Sequence, residues 1–148
     1  MRRRMVMAIP LLFGLGFACG PDNGEVTAGD LVATWEADSF VYTDLGDPGT
    51  EVDVIGMGGA VTITFDANGT YRMTTTVVDP HVERGTWELL GTHQLNLMET
   101  GASAPAAYLV SIYDLNGATV LSLSGDDVLF DFGDGEIPAR LAAVFVVY

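Results

Sequence analysis

Two segments, Phe65-Asp66-Ala67-Asn68-Gly69 and Tyr113-Asp114-Leu115-Asn116-Gly117, repeat one pattern of aromatic residue, aspartate, any residue and Asn-Gly. Asparagine tolerates left-handed backbone and glycine adopts it freely, so Asn-Gly between extended runs specifies an antiparallel hairpin. The flanks agree. Val61, Ile63 and Phe65 alternate with Thr62 and Thr64, the period-2 pattern of a half-buried strand. A second run covers residues 70–77, and runs at 108–113 and 119–124 flank the other turn. No window of the chain beyond Leu31 sustains a helical period.

Further runs at 32–42, 86–90, 94–98, 128–132 and 140–148 bring the total to eight or nine strands. Such spacing is that of a sandwich or barrel. Residues 43–59, 100–106 and 133–139 read as loops or connections. The last run is apolar on both faces, with Leu141, Val144, Phe145, Val146 and Val147, so it is expected to be central and to close a barrel or meet a partner. Its aromatic terminus also fits the end of an outer-membrane barrel. That architecture needs strands of about 9–11 residues with an outward apolar band, whereas Thr62, Thr64, Thr74, Thr76, Glu88 and Asn96 occupy the outward candidates here.

The N-terminus has a different character. Arg2, Arg3 and Arg4 precede an apolar run from Met5 to Ala18. About 14 residues are too few for a membrane-spanning helix, which needs about 20, but they suit the apolar core of an export signal. Gly16-Phe17-Ala18-Cys19-Gly20 resembles the lipobox of bacterial lipoproteins, in which the cysteine is lipidated and becomes the first mature residue. Ala18 matches that pattern; Gly16 replaces the usual aliphatic residue. The resemblance implies a lipoprotein signal peptide over 1–18, lipid attachment such as palmitate at Cys19, a tether over 19–29 and a domain over 30–148. It places the protein outside the cytoplasm of a Gram-negative bacterium, membrane-anchored in the periplasm or on the cell surface.

Charge narrows the partners. The 148 residues carry 20 acidic side chains, six arginines and no lysine, for a net charge of −14. Removing the first 18 residues leaves 130, with Arg72, Arg84 and Arg140 against all 20 acids, a net −17. Nucleic acid, which needs clustered cations, is excluded as a partner. The single cysteine excludes an internal disulfide framework. Self-repulsion at this charge weakens the compact state at low ionic strength and salt screens it. The denaturation midpoint is therefore expected to rise between low and molar NaCl; a flat or falling midpoint contradicts this.

Leu31-Val32-Ala33-Thr34-Trp35-Glu36, Thr64-Phe65-Asp66-Ala67-Asn68-Gly69-Thr70 and Gly85-Thr86-Trp87-Glu88-Leu89, with Leu95-Asn96-Leu97, together resemble the lipocalin-like domains of bacterial lipoproteins. Ala33 stands where that family's first motif has glycine. The resemblance covers residues 30–148 and implies an all-β, antiparallel up-and-down barrel of about eight strands.

An eight-stranded barrel either fills with side chains or holds one small ligand. Alternation puts Phe65 on one face of its strand and Tyr71 and Met73 on one face of the next; with Trp35, Trp87, Tyr108 and Phe130 as further interior candidates, these form the candidate lining for a small apolar or amphipathic ligand. The same residue types build a filled core, in which case the protein is a non-enzymatic interaction or structural module. No nucleophile motif, phosphate loop or lysine is present, so no catalytic residue and no cofactor are expected. The acidic run Asp131–Glu136 lacks the order of a calcium loop and reads as a solvated turn. His81 and His93 sit in no ligand motif, and no metal site is expected.

Overall fold

In the computed structural model, residues 25–78 and 80–147 are described, without the side chain of Asp127. Residues 1–18, expected from sequence to be a signal peptide, and Cys19 lie outside the described residues. One short helix, α1 (Ala28–Leu31), precedes nine strands: β1 (Thr34–Asp44), β2 (Glu51–Asp53), β3 (Val61–Phe65), β4 (Thr70–Thr75), β5 (His81–Leu90), β6 (Gln94–Glu99), β7 (Ala106–Leu115), β8 (Ala118–Asp131) and β9 (Glu136–Val147). All pairings are antiparallel. Strands β1 and β3 to β9 form a closed eight-stranded barrel, with β2 added to the free flank of β1. Closure comes from β9, which pairs with β8 on one side and with β1 from Glu36↔Val146 to Asp44↔Ala139 on the other. The doubly apolar last run is thus a central strand.

The two Asn-Gly motifs make different turns. Asn116 and Gly117 both adopt positive φ, 52° and 87°, between the paired Leu115 and Ala118, a two-residue hairpin. At the other copy only Gly69 is left-handed, and four residues separate β3 from β4. There the Thr70 amide and hydroxyl both donate to the Asn68 side chain, at 3.0 and 2.7 Å.

Two bulges switch the inward face in mid-strand. On β1 the buried positions run Trp35, then Phe40, and the register shifts between Ala37 and Ser39. On β8 the core-facing Leu121 and Leu123 are followed by the buried Phe130, with a shift between Gly125 and Val128; Val120 is buried as well but lies outside the core cluster. An extra residue bends a strand and reverses its side-chain parity downstream. The bulge in β8 corrects the sequence reading of two strands at 119–124 and 128–132: Gly125-Asp126-Asp127 looks like a loop but is an irregularity within one 14-residue strand. Likewise, β2 lies within the stretch read as a loop at 43–59, and β9 begins at Glu136 inside the expected connection.

The barrel has unlike ends. At one, α1 lies across the opening, with Leu31 fully buried and Val26 3% exposed. The Thr27 amide and hydroxyl donate to the Asp30 carboxylate, at 2.9 and 2.7 Å, and hold that carboxyl below its usual range. The Trp35 indole N–H donates to the Leu31 carbonyl at 2.9 Å, taking up an acceptor that a helix end leaves unpaired. Packing therefore starts at Val26, within the segment 19–29 read as tether. At the opposite end lie the turn between β8 and β9, the loop after β6 and the segment around Val54, which is fully buried and donates to the Phe40 carbonyl at 2.9 Å. Strands β3, β4 and β6 have only five or six residues, short of a membrane-spanning strand.

Candidate functional site

All seven side chains expected to line the barrel face inward, and six of them are buried: Trp35, Phe65, Tyr71, Met73, Tyr108 and Phe130. Trp87 is half-buried and packs against the same core. They are not gathered in one place. Phe65 contacts the Trp87 ring edge-on at a centroid distance of 5.6 Å and the Tyr71 ring at 6.5 Å. Trp87 also donates its indole N–H to the Asp66 carbonyl at 3.1 Å, tying the side chain to the first hairpin. Phe130 belongs to a separate aromatic group, stacked on Tyr42 at 4.0 Å and edge-on to Phe132 at 4.9 Å. Phe40 and Phe145, which the sequence reading did not single out as lining, are buried in the core and meet edge-on at 6.1 Å.

The polar feature of the interior is one the sequence reading missed. Cross-strand pairing aligns Met73 with Glu83, and Tyr71 with Gly85, which in turn faces Glu99. Because Tyr71 and Met73 point inward, Glu83 and Glu99 lie on the inward side of their strands. The Tyr71 hydroxyl donates to the Glu83 carboxylate. Burial, reinforced by the nearby Glu99 and opposed by the Tyr71 hydrogen bond and by His81, raises the Glu83 carboxyl above the usual glutamate range. Burial, followed by the Glu83 hydrogen bond and the charges of Glu83 and Glu99, lifts the Tyr71 hydroxyl far above the ordinary tyrosine range. Tyr71 therefore remains a donor at any working pH.

These shifts predict a pH dependence. The folded chain holds the Glu83 proton more tightly than the unfolded chain does. Its contribution to stability is full below the unfolded glutamate value and is lost as pH rises through the raised folded value. Glu83→Gln keeps an acceptor for Tyr71 and removes the charge. Thermal denaturation should show that this variant gains more at pH 8 than at pH 4; an equal gain at both would contradict the burial of that carboxylate.

The remaining candidates stay apart. His81 opens β5 and His93 lies just before β6, so the ten residues of β5, roughly 30 Å of extended chain, separate them. Among the described residues no group of three or more potential ligands forms a metal site. The acidic run after β8 is a turn: one Asp131 oxygen accepts the amides of Gly133 and Gly135 at 2.7 and 2.9 Å, which holds its carboxyl below the usual range. On the outer wall, Arg140 makes a two-pronged ion pair with Asp126 at 2.6 and 3.1 Å, both side chains about half exposed. A surface depression of about 590 Å³ beside this pair is lined by Tyr108, Leu109, Ser124, Gly125, Asp126 and Arg140, among others. No family model, no curated protein and no solved structure matches this chain.

Proposed function

We propose that this chain is a lipid-anchored, extracytoplasmic lipocalin-like protein that takes a small apolar or amphipathic molecule into its barrel from the Glu83 end. The observation that carries the reading is the unlikeness of the two ends. One is covered by α1 and latched by Trp35, whereas near the other an inward carboxylate, bonded to Tyr71, sits at the margin of an apolar interior. Small-molecule sites combine such apolar walls with a few convergent polar groups. Met73, Tyr108 and Leu97 would meet the apolar part, and Glu83 would accept a hydrogen bond from the polar end. This reading involves no bond chemistry and no cofactor. The anchor rests on the lipobox resemblance at Cys19.

Titration of the protein with dodecanol and dodecylamine tests the ligand, read by tryptophan fluorescence and native mass spectrometry. Saturable one-to-one binding that weakens in Glu83→Gln is the expected result. An unchanged spectrum and a bare mass with both probes would overturn it. Cys19→Ser should abolish fatty-acid labelling in cells, and persistent labelling would overturn the anchor.

A second reading has its own observation. The interior aromatics already touch one another, as in the Phe65–Trp87 and Phe40–Phe145 contacts, and this favours a filled barrel that acts as an interaction module. Failure of the titrations above would leave that reading standing.

A further inference from the structure

Beyond Gly125 the two neighbours of β8 part company. Pairing with β7 runs from Leu115↔Ala118 to Leu109↔Ser124 and ends there. Pairing with β9 resumes after the bulge and continues from Val128↔Ala139 to Asp131↔Glu136. Among the described residues, the last stretch of β8 therefore has a strand on one side only.

The direction of its backbone groups follows from a proline. Leu129 lies opposite Pro138, which has no N–H, and the Pro138 carbonyl accepts instead from the Leu45 amide beyond β1, at 3.3 Å. In an antiparallel strand the N–H and C=O of one residue point the same way, and directly opposed residues either face each other or both face away. Pro138 faces β1, so Leu129 faces away from β9, toward the open side. Asp131, two residues on, shares that orientation. Among the described residues no turn or loop backbone group pairs with either. The Leu129 side chain is 63% exposed. An unpaired edge with a projecting aliphatic residue is a template for another strand.

The geometry points to β-strand addition at this edge by an extended segment of a partner protein, with an aliphatic residue beside Leu129 and basic residues on either side of it. The depression of about 590 Å³ at Gly125 and Asp126 adjoins the edge where β7 and β8 diverge, giving the added segment room to continue. Charge selects the partner. Asp126, Asp131, Asp134 and Glu136 surround the edge, and the nearby cation, Arg140, is already engaged by Asp126. A second copy of the chain would bring a second acidic edge against the first, in a protein with 20 acids, six arginines and no lysine. A basic strand relieves that repulsion. The interaction is independent of any ligand inside the barrel.

The test uses a fluorescent heptapeptide amide of alternating lysine and valine, and a version N-methylated at alternate residues. N-methylation keeps the charge but removes the donors along one edge. Anisotropy titration of the full chain in about 0.15 M salt should show binding of the first peptide and at least an about tenfold loss for the second. Leu129→Lys places a cation at the edge and should weaken the first peptide by a similar factor without changing the thermal midpoint. Bound peptide should also slow hydrogen exchange at the Leu129 and Asp131 amides. Equal binding of both peptides would reveal charge attraction alone, and equal binding or none would overturn the proposal.

Discussion

Trp35→Ala should cost the folded chain about 3–5 kcal/mol, the range for removing a buried tryptophan. Trp35 is 1% exposed, stands opposite Ile63 at the junction of β1 and β3, and bonds to the last carbonyl of α1. Truncation opens a cavity at the covered end of the barrel and frees α1, so Leu31 and Val26 lose their cover as well. Domains have only about 5–15 kcal/mol of total stability, which places this variant near unfolding at room temperature. Trp35→Phe keeps much of the ring volume but leaves the Leu31 carbonyl without its donor, a loss of about 1–3 kcal/mol. Urea denaturation of both variants measures the order. If the alanine variant lost less than the phenylalanine one, the indole would not latch α1 to the barrel.

Hairpins were the most legible part of this fold, because Asn-Gly states its own backbone requirement. Residues 61–65 alternate so strictly that the strand reading and β3 coincide. What the alternation hid were places where it breaks. Asp38 in β1 and the Gly125-Asp126-Asp127 stretch of β8 mark bulges, and a polar residue in a bulge has the same composition as a loop. Composition alone therefore splits β8 at its bulge, while the run 32–42 lies two residues ahead of β1 and the run 140–148 begins four residues into β9. The start of β5 was missed for a different reason. His81-Val82-Glu83-Arg84 carries charge on both faces, so no apolar period announces it.

The candidate site divides in the same way. Aromatic lining positions were legible, since Phe65, Tyr71 and Trp87 each follow the parity of an evident strand. Glu83 was not, because one acid among 20 carries no signal by type. Parity did contain it: counting back from Trp87 through Gly85 puts Glu83 on the inward face. Its partner is a tertiary fact. Tyr71 reaches Glu83 only because β4 and β5 pair in this register, which neither residue specifies locally.

Gly85→Ala tests that register directly, and its expected sign opposes local propensity. Replacing glycine by alanine at an unstrained position ordinarily stabilises by about 0.4–1 kcal/mol, through the unfolded chain. The backbone of Gly85 is not left-handed, so by that rule the substitution should help. Packing reverses it. A Cβ at Gly85 would overlap the Met98 carbonyl oxygen and lie 2.8 Å from the Met98 carbonyl carbon and 2.9 Å from the Glu99 Cα. These are backbone atoms of the paired strand β6 and cannot rotate away as a side-chain tip would. Relief requires β5 and β6 to separate where Gly85 faces Glu99, for an expected loss of about 1–3 kcal/mol, the usual cost of overpacking. Gly125→Ala should behave alike, since its Cβ would stand 2.5 Å from the Ala107 carbonyl oxygen and 2.9 Å from the Tyr108 ring. Gly29→Ala is the control: in α1 its Cβ would meet only the Thr27 hydroxyl, at an ordinary 3.7 Å, and helix propensity favours alanine by up to about 1 kcal/mol. Chemical denaturation of the three variants should give two losses and no loss for Gly29→Ala. A gain at Gly85 would mean that β5 and β6 do not approach as closely as this pairing requires.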